Sequence, residues 1–165
     1  MPTSVSFVYA AFWIALGVVL PLFFHLILLG PSFLPMHLSV FLAGFTLGDK
    51  MGLLVGFITP LLSFFITGMP PPPVLQIMIV ELAVYGFASG FFYRRLKLNL
   101  WLSLILAMIV GRVVLAGWVI LLSLLFFPTL LWSTYIVGAF IGGVPGMLLQ
   151  LLVIPPTVKI LKFQI

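Results

Sequence analysis

Two residues carry the chemistry that this sequence has to offer, Glu81 and Arg112. Each stands alone as a charge within a long apolar run: Glu81 in VLQIMIVELAVYGFASGFFY, Arg112 in AMIVGRVVLAGW. A charge at the middle of a membrane helix costs at least about 2.5–3.5 kcal/mol on insertion scales, so it needs a partner or a purpose. Glu81 lies about seven residues, near 10 Å, below the outer end of its span. Arg112 lies about thirteen residues, near 20 Å, above the inner end of the next. In a hydrocarbon core of roughly 30 Å the two then share one depth. They either pair with each other and fix two helices together, or both face an externally open cavity and hold a polar solute. The readings are compatible if the solute bridges or replaces the pair. An acid beside a base suits a ligand with donor and acceptor groups, and Arg112 would suit a carboxylate or phosphate.

The neighbours extend this set. Tyr85 is one turn beyond Glu81 and shares its helix face. Gln76 lies on the same helix, within about 140° of Glu81 on the wheel. Trp118 follows Arg112 in the same run, where its ring can stack on a flat ligand or anchor the helix at the membrane boundary. His37 opens an earlier apolar segment near the outer face, within reach of a ligand or of loop carbonyls. Catalysis finds no support. HExxH, GxSxG and a Walker A loop are all missing, so the chain is not expected to be an enzyme or to hydrolyse ATP itself. There is no cysteine, and neither His25 nor His37 belongs to a cluster with metal-ligand spacing. No metal or other cofactor is expected.

The elements that must position these residues follow from composition. Of the 165 residues 64% are hydrophobic and 5% charged, against about 25% charged in a soluble domain. Such a chain belongs in a bilayer. Seven Lys and Arg against two acids is a small basic excess whose placement matters more than its size, and it gives no reason to expect nucleic acid. The first apolar run is long enough to span and has no charged segment before it, so no cleavable signal peptide is expected.

The expected fold is an all-α integral membrane protein, one transmembrane domain over 1–165 with six spans at about 5–28, 36–47, 51–67, 74–93, 100–126 and 133–154. Pro21 is expected to kink the first span or loosen its outer half. The second is short and reads as tilted, partly re-entrant or beginning before Pro35. Pro60 marks a bend in the third, with Thr59 or Ser63 available for the carbonyls that it frees. Gly68-Met69-Pro70-Pro71-Pro72-Pro73 reads as a stiff polyproline connector, the wall or lid of a site or a plain rigid link. Pro155-Pro156 is expected to end the sixth span. Small residues recur four apart: Ala11 and Ala15, Gly52 and Gly56, Gly86 and Gly90. Such pairs let helices approach closely, within the chain or between subunits. Lys50, Arg94, Arg95, Lys97, Lys159 and Lys162 all fall on one side of this six-span plan, and the loops opposite carry no Lys or Arg. By the positive-inside rule that side, with both termini, is cytoplasmic.

With these features in order, the chain resembles the substrate-binding S components of energy-coupling factor (ECF) vitamin transporters. The resemblance rests on Ala11-x-x-x-Ala15 in the first span, then PMHLSVFLAGFTLGDKMGLLVGFITPLLSFFITGMPPPP and ELAVYGFASGFFYRR. It covers nearly the whole chain and is most specific from Pro35 to Arg95. The resemblance implies a six-helix protein of the prokaryotic plasma membrane that captures a vitamin or vitamin precursor in an external pocket. It implies docking, through the first three helices, on a transmembrane coupling subunit driven by two ATPases, and toppling in the bilayer to release cargo inward. Ala11 and Ala15 match the docking motif. By position alone, Glu81, Arg112, Tyr85, Gln76, Trp118 and His37 fall in the binding region. A stand-alone small-solute permease and a non-catalytic membrane assembly subunit are the alternatives.

Overall fold

The computed structural model describes residues 3–26, 34–125 and 132–162. Every regular element among them is helical. They are α1 (Thr3–Leu26), α2 (Pro35–Leu47), α3 (Asp49–Thr67), α4 (Val74–Gly90, running into one wide π turn at Phe91–Arg95), α5 (Leu100–Leu125), α6 (Trp132–Gly142) and α7 (Val144–Lys162). Five stretches among them are long and apolar enough to cross a membrane: Ser4–Phe24, Asp49–Thr67, Val74–Arg95, Leu100–Leu125 and Val144–Leu161. Large apolar side chains face outward along them, such as Phe12, Phe65, Val113 and Leu152. Buried polar side chains, Glu81, Arg112, His37 and Gln150 among them, face inward. That arrangement suits hydrocarbon surroundings and polar contacts kept within the bundle.

The short second helix is the centre of the bundle. Apolar residues surround α2 on all sides, and such a helix belongs in an interior. Every residue from Pro35 to Phe45 is buried, with α1, α3, α4 and α7 packed around it. Its Phe41 and Val40 join Leu82, Leu104, Ile154 and Val158 in the main core. Helix α2 begins at Pro35, after Leu34 in a left-handed conformation (φ 49°). The fixed φ and missing N–H of proline suit that first position.

Glycines join α2, α3 and α4. The spaces where Gly52 and Gly56 would carry side chains are filled by the backbone carbonyls of Gly86 and Leu82. Those of Gly86 and Gly90 are filled by the backbone of Gly52 and Asp49 in return. The two small-residue pairs read in the sequence are thus partners of each other. Gly17 of α1 meets Ser39 and Thr59 in the same close manner, whereas Ala11 and Ala15 are exposed on the other side of α1.

Several expectations are corrected here. The span expected over 133–154 is two helices, α6 and α7, meeting at Gly143. Gly142-Gly143 offers no side chain to hold a helix together, and Pro145 sits in the first turn of α7, where its missing N–H is harmless. Pro155-Pro156 does not end α7, which continues to Lys162. Thr157 Oγ1 donates to the Val153 carbonyl at 2.7 Å across that step. Thr59 Oγ1 donates to Val55 O at 2.6 Å and Ser63 Oγ to Met69 O at 3.0 Å, so neither reaches the Gly56 carbonyl that Pro60 leaves free. The proline connector is not a uniform extended rod: Met69–Pro70 and Pro72–Pro73 are cis, and a turn at its end leads into α4. Pro21 lies inside α1, which continues past it to Leu26. Parts of the expected loops at 30–35 and 127–132 lie outside the described residues.

Candidate functional site

Glu81 is held at the middle of α4, where that helix crosses α2 and α5. Arg112 comes from the facing stretch of α5, one residue after Gly111, whose bare Cα accommodates the Tyr85 ring. Their terminal atoms meet: Arg112 Nη1 lies 3.2 Å from Glu81 Oε1. The contact places the two residues at one level of the bundle, as counting along their helices predicts. From the start of α2, His37 Nε2 lies 3.7 Å from the other carboxylate oxygen, Glu81 Oε2. All three side chains are buried, 2–6% exposed. An acid, a base and an imidazole from three helices therefore form one polar cluster inside an apolar bundle.

The cluster is close but incompletely bonded. Glu81 Oε1, Arg112 Nε and both ring nitrogens of His37 make no hydrogen bond within the protein. Buried polar groups are nearly always paired, so each such atom calls for an explanation. Two more groups border the cluster. Tyr85 faces the Glu81 carboxylate with its hydroxyl, and its ring packs on His37 and Phe41 with centroids 5.4 and 4.8 Å away. Phe140 of α6 lies beside the Arg112 guanidinium, 5.8 Å from ring centre to Cζ.

Above the cluster opens a cavity of about 700 Å³. His37, Glu81 and Arg112 are its charged and ionisable lining, together with Tyr135. Its remaining walls are largely apolar: Val18 and Pro21 of α1, Met36 of α2, Val74 and Met78 of α4, Leu115 of α5. Met69, Pro70 and Pro71 of the proline connector line it too, so that connector is a wall of the cavity. Apolar walls with a few convergent polar groups, at a volume in the range of roughly 300–1,000 Å³, describe a small-molecule site.

The structure divides the six sequence candidates. Glu81, Arg112 and His37 line the cavity, and Tyr85 supports them from below without lining it. Gln76 and Trp118 meet each other instead. Trp118 Nε1 donates to the Gln76 backbone carbonyl at 3.1 Å, tying α5 to the first turn of α4. The Trp118 ring packs on a second apolar cluster of Ile77, Leu115, Val119 and Leu122. Sequence reasoning missed Tyr135, Gly138, Ala139 and Gly142, which form the α6 wall. Their spacing of three, four and seven residues was the available signal, one helix stripe of small residues headed by a tyrosine.

Comparison with protein families gives one match. The model of the family described as "ECF transporter, substrate-specific component" fits residues 6–158. The chain belongs to this family. Neither a curated protein nor a solved structure matches it. As an ECF substrate-specific component it is a membrane-embedded transporter subunit and not an enzyme. It works with other ECF subunits on a small-molecule substrate.

Proposed function

We propose that this chain is the high-affinity capture subunit of an ECF importer for a water-soluble vitamin or vitamin precursor. It forms one domain of six spans, with α2 completing the set of five long apolar segments and both termini cytoplasmic. The basic ends of the helices support that orientation: Lys50, Arg94, Arg95 and Lys97 lie together at the α2–α3 and α4–α5 turns. Arg95 Nε is 3.0 Å from Asp49 Oδ2, and Arg94 donates to the Thr46 carbonyl at 2.8 Å across the same end. The cavity then opens toward the outside.

The observation that carries the reading is the junction of Glu81, Arg112 and His37, with unmet hydrogen-bonding capacity, at the wall of a cavity sized for one small molecule. A solute entering from outside meets apolar walls first and the polar cluster last. The cluster offers it polar partners at the base of the cavity, and hydrogen bonds made there favour retention. Tyr85 positions His37 and Glu81. Gln76 and Trp118 fix the outer ends of α4 and α5 and so shape the mouth. Ala11 and Ala15, exposed on α1, give a coupling subunit a flat face to dock against.

The test is reconstitution. Liposomes holding this chain alone, and liposomes holding it with a coupling subunit and two ATPases, are offered radiolabelled vitamins. Uptake that needs the complete assembly and ATP supports the reading. Uptake by the chain alone overturns it in favour of a permease.

A further inference from the structure

We propose that α6 is the wall that selects the ligand, and that the ligand lays a planar ring system against the bare backbone at Gly138 and Gly142. The proposal rests on the capture-subunit reading and narrows its substrate class.

A glycine in a packed helical bundle usually has a visible reason. Here Gly52 and Gly86 let facing backbones come close, Gly111 takes the Tyr85 ring, and Gly68 has a left-handed φ of 74°. Gly138 and Gly142 have no such reason. A Cβ built at either would meet no other heavy atom within 4 Å among the described residues, and neither has a positive φ. Glycine still weakens a helix relative to alanine. What the two positions share is the cavity, which both line together with Tyr135, Ala139 and Gly143. Their missing side chains keep room in it. Gly117 of α5 also meets nothing within 4 Å, but it does not line the cavity.

The form of this wall describes the guest. Gly138, Ala139 and Gly142 fall on one face of α6, and among them they carry a single methyl group. A planar ring can touch such a strip over its whole face, whereas a branched or puckered body touches it at points. Dispersion attraction sums over close contacts and so favours the plane. Tyr135, one turn earlier on that face, lines the cavity while its ring packs on the second apolar cluster, of Ile77, Leu115, Val119 and Leu122. Held there, it offers an aromatic surface at the end of the strip, suited to edge or offset contact with another ring. Met36 and Met78, also on the cavity, are adaptable side chains that pack well on aromatic rings.

Arg112 marks the same space as a binding site independently of α6. It lines the cavity and is 6% exposed. Its Nη1 stands 3.2 Å from Glu81 Oε1 as an ion pair, and among the described residues neither Nη donates a hydrogen bond. A buried guanidinium with donors to spare calls for a partner.

The experiment uses the purified full chain in lipid nanodiscs, without any coupling subunit, and titration calorimetry. The probes are four vitamins built on planar rings, riboflavin, thiamine, pyridoxine and folate, and two that are not, pantothenate and biotin. One planar member is expected to bind at least about tenfold tighter than either non-planar one. Gly138→Leu combined with Gly142→Leu puts side chains onto the strip and is expected to weaken that binding by at least about tenfold. Gly138→Ala combined with Gly142→Ala adds only the two Cβ atoms, which meet nothing in the protein. It is expected to fold as the wild type does and to weaken binding by at least about threefold, so the test stands even if the leucine chain fails to fold. Gly117→Ala is the control, with affinity expected within about twofold of wild type. Tightest binding by pantothenate or biotin overturns the proposal and leaves the capture reading standing. Wild-type affinity in the folded leucine or alanine chain does the same. Binding of no probe overturns the capture reading and the proposal together.

Discussion

Gly143 and Arg112 fit together because the glycine has no side chain: a Cβ at position 143 would stand 2.7 Å from Arg112 Nη2 and 2.6 Å from the Ala139 carbonyl oxygen. The break between α6 and α7 therefore doubles as the seat of the guanidinium. Gly143→Ala must move either a backbone carbonyl or the charged fork. Overpacking of this kind costs about 1–3 kcal/mol. The expected outcome is a ligand affinity weakened by about tenfold or more, with helical content by circular dichroism unchanged. Unchanged affinity in the alanine variant would show that Arg112 does not depend on this seat.

The glycine seam makes a prediction about stability alone. Gly52→Ala and Gly86→Ala each drive a methyl group into the backbone of the facing helix, and each is expected to lose about 1–3 kcal/mol. Gly117 and Gly138 meet nothing within 4 Å. Gly117→Ala, inside α5, is expected to be neutral or to gain up to about 1 kcal/mol from helix propensity. Thermal unfolding in one detergent, followed by tryptophan fluorescence, ranks the variants.

Breaking the charge pair from one side leaves a buried charge alone. Arg112→Met or Glu81→Gln is each expected to destabilise the protein by about 3–5 kcal/mol. The double variant is expected to recover a large share of that loss, since no unpaired charge remains. A double-mutant cycle on chemical unfolding measures the coupling. Strict additivity of the two single effects would mean that the 3.2 Å contact carries no energy.

How far the sequence foretells this site can be judged residue by residue. Glu81 and Arg112 were legible because a charge in hydrocarbon is costly, and counting residues along two helices brought them to one depth. Tyr85 followed from helical spacing. His37 was legible as a polar residue near the outer face, but its contact with Glu81 was not, because α2 is apolar all round and no periodicity gives its rotation. For the same reason Gly52 and Gly56 read as a small face without disclosing that Gly86 and Gly90 are the partner face. Gln76 and Trp118 were grouped with the pair by position, and their mutual hydrogen bond depends on a carbonyl that every residue has. The break at Gly143 was written in Gly142-Gly143-Val144-Pro145, where a glycine pair is followed by a proline suited to a helix start. The apolar length of the surrounding run masked it.

Trp118 supplies a contrast with the polar cluster. Its indole holds the Gln76 carbonyl at 3.1 Å and does not line the cavity. Trp118→Phe keeps most of the ring and loses that bond, so a loss of about 0.5–1.5 kcal/mol in stability is expected. Ligand affinity is expected to stay within about threefold, an energy below 1 kcal/mol. A much larger loss of affinity at unchanged stability would place the indole on the ligand.

The proposed function turns on capture of a small solute at the junction of Glu81, Arg112 and His37. Native mass spectrometry of the gently purified chain, against a mixed vitamin panel, tests it most directly when run beside Arg112→Met and His37→Ala. One vitamin is expected to be retained on the wild-type chain and to be lost from both variants while they remain folded. Equal retention by all three proteins would contradict it.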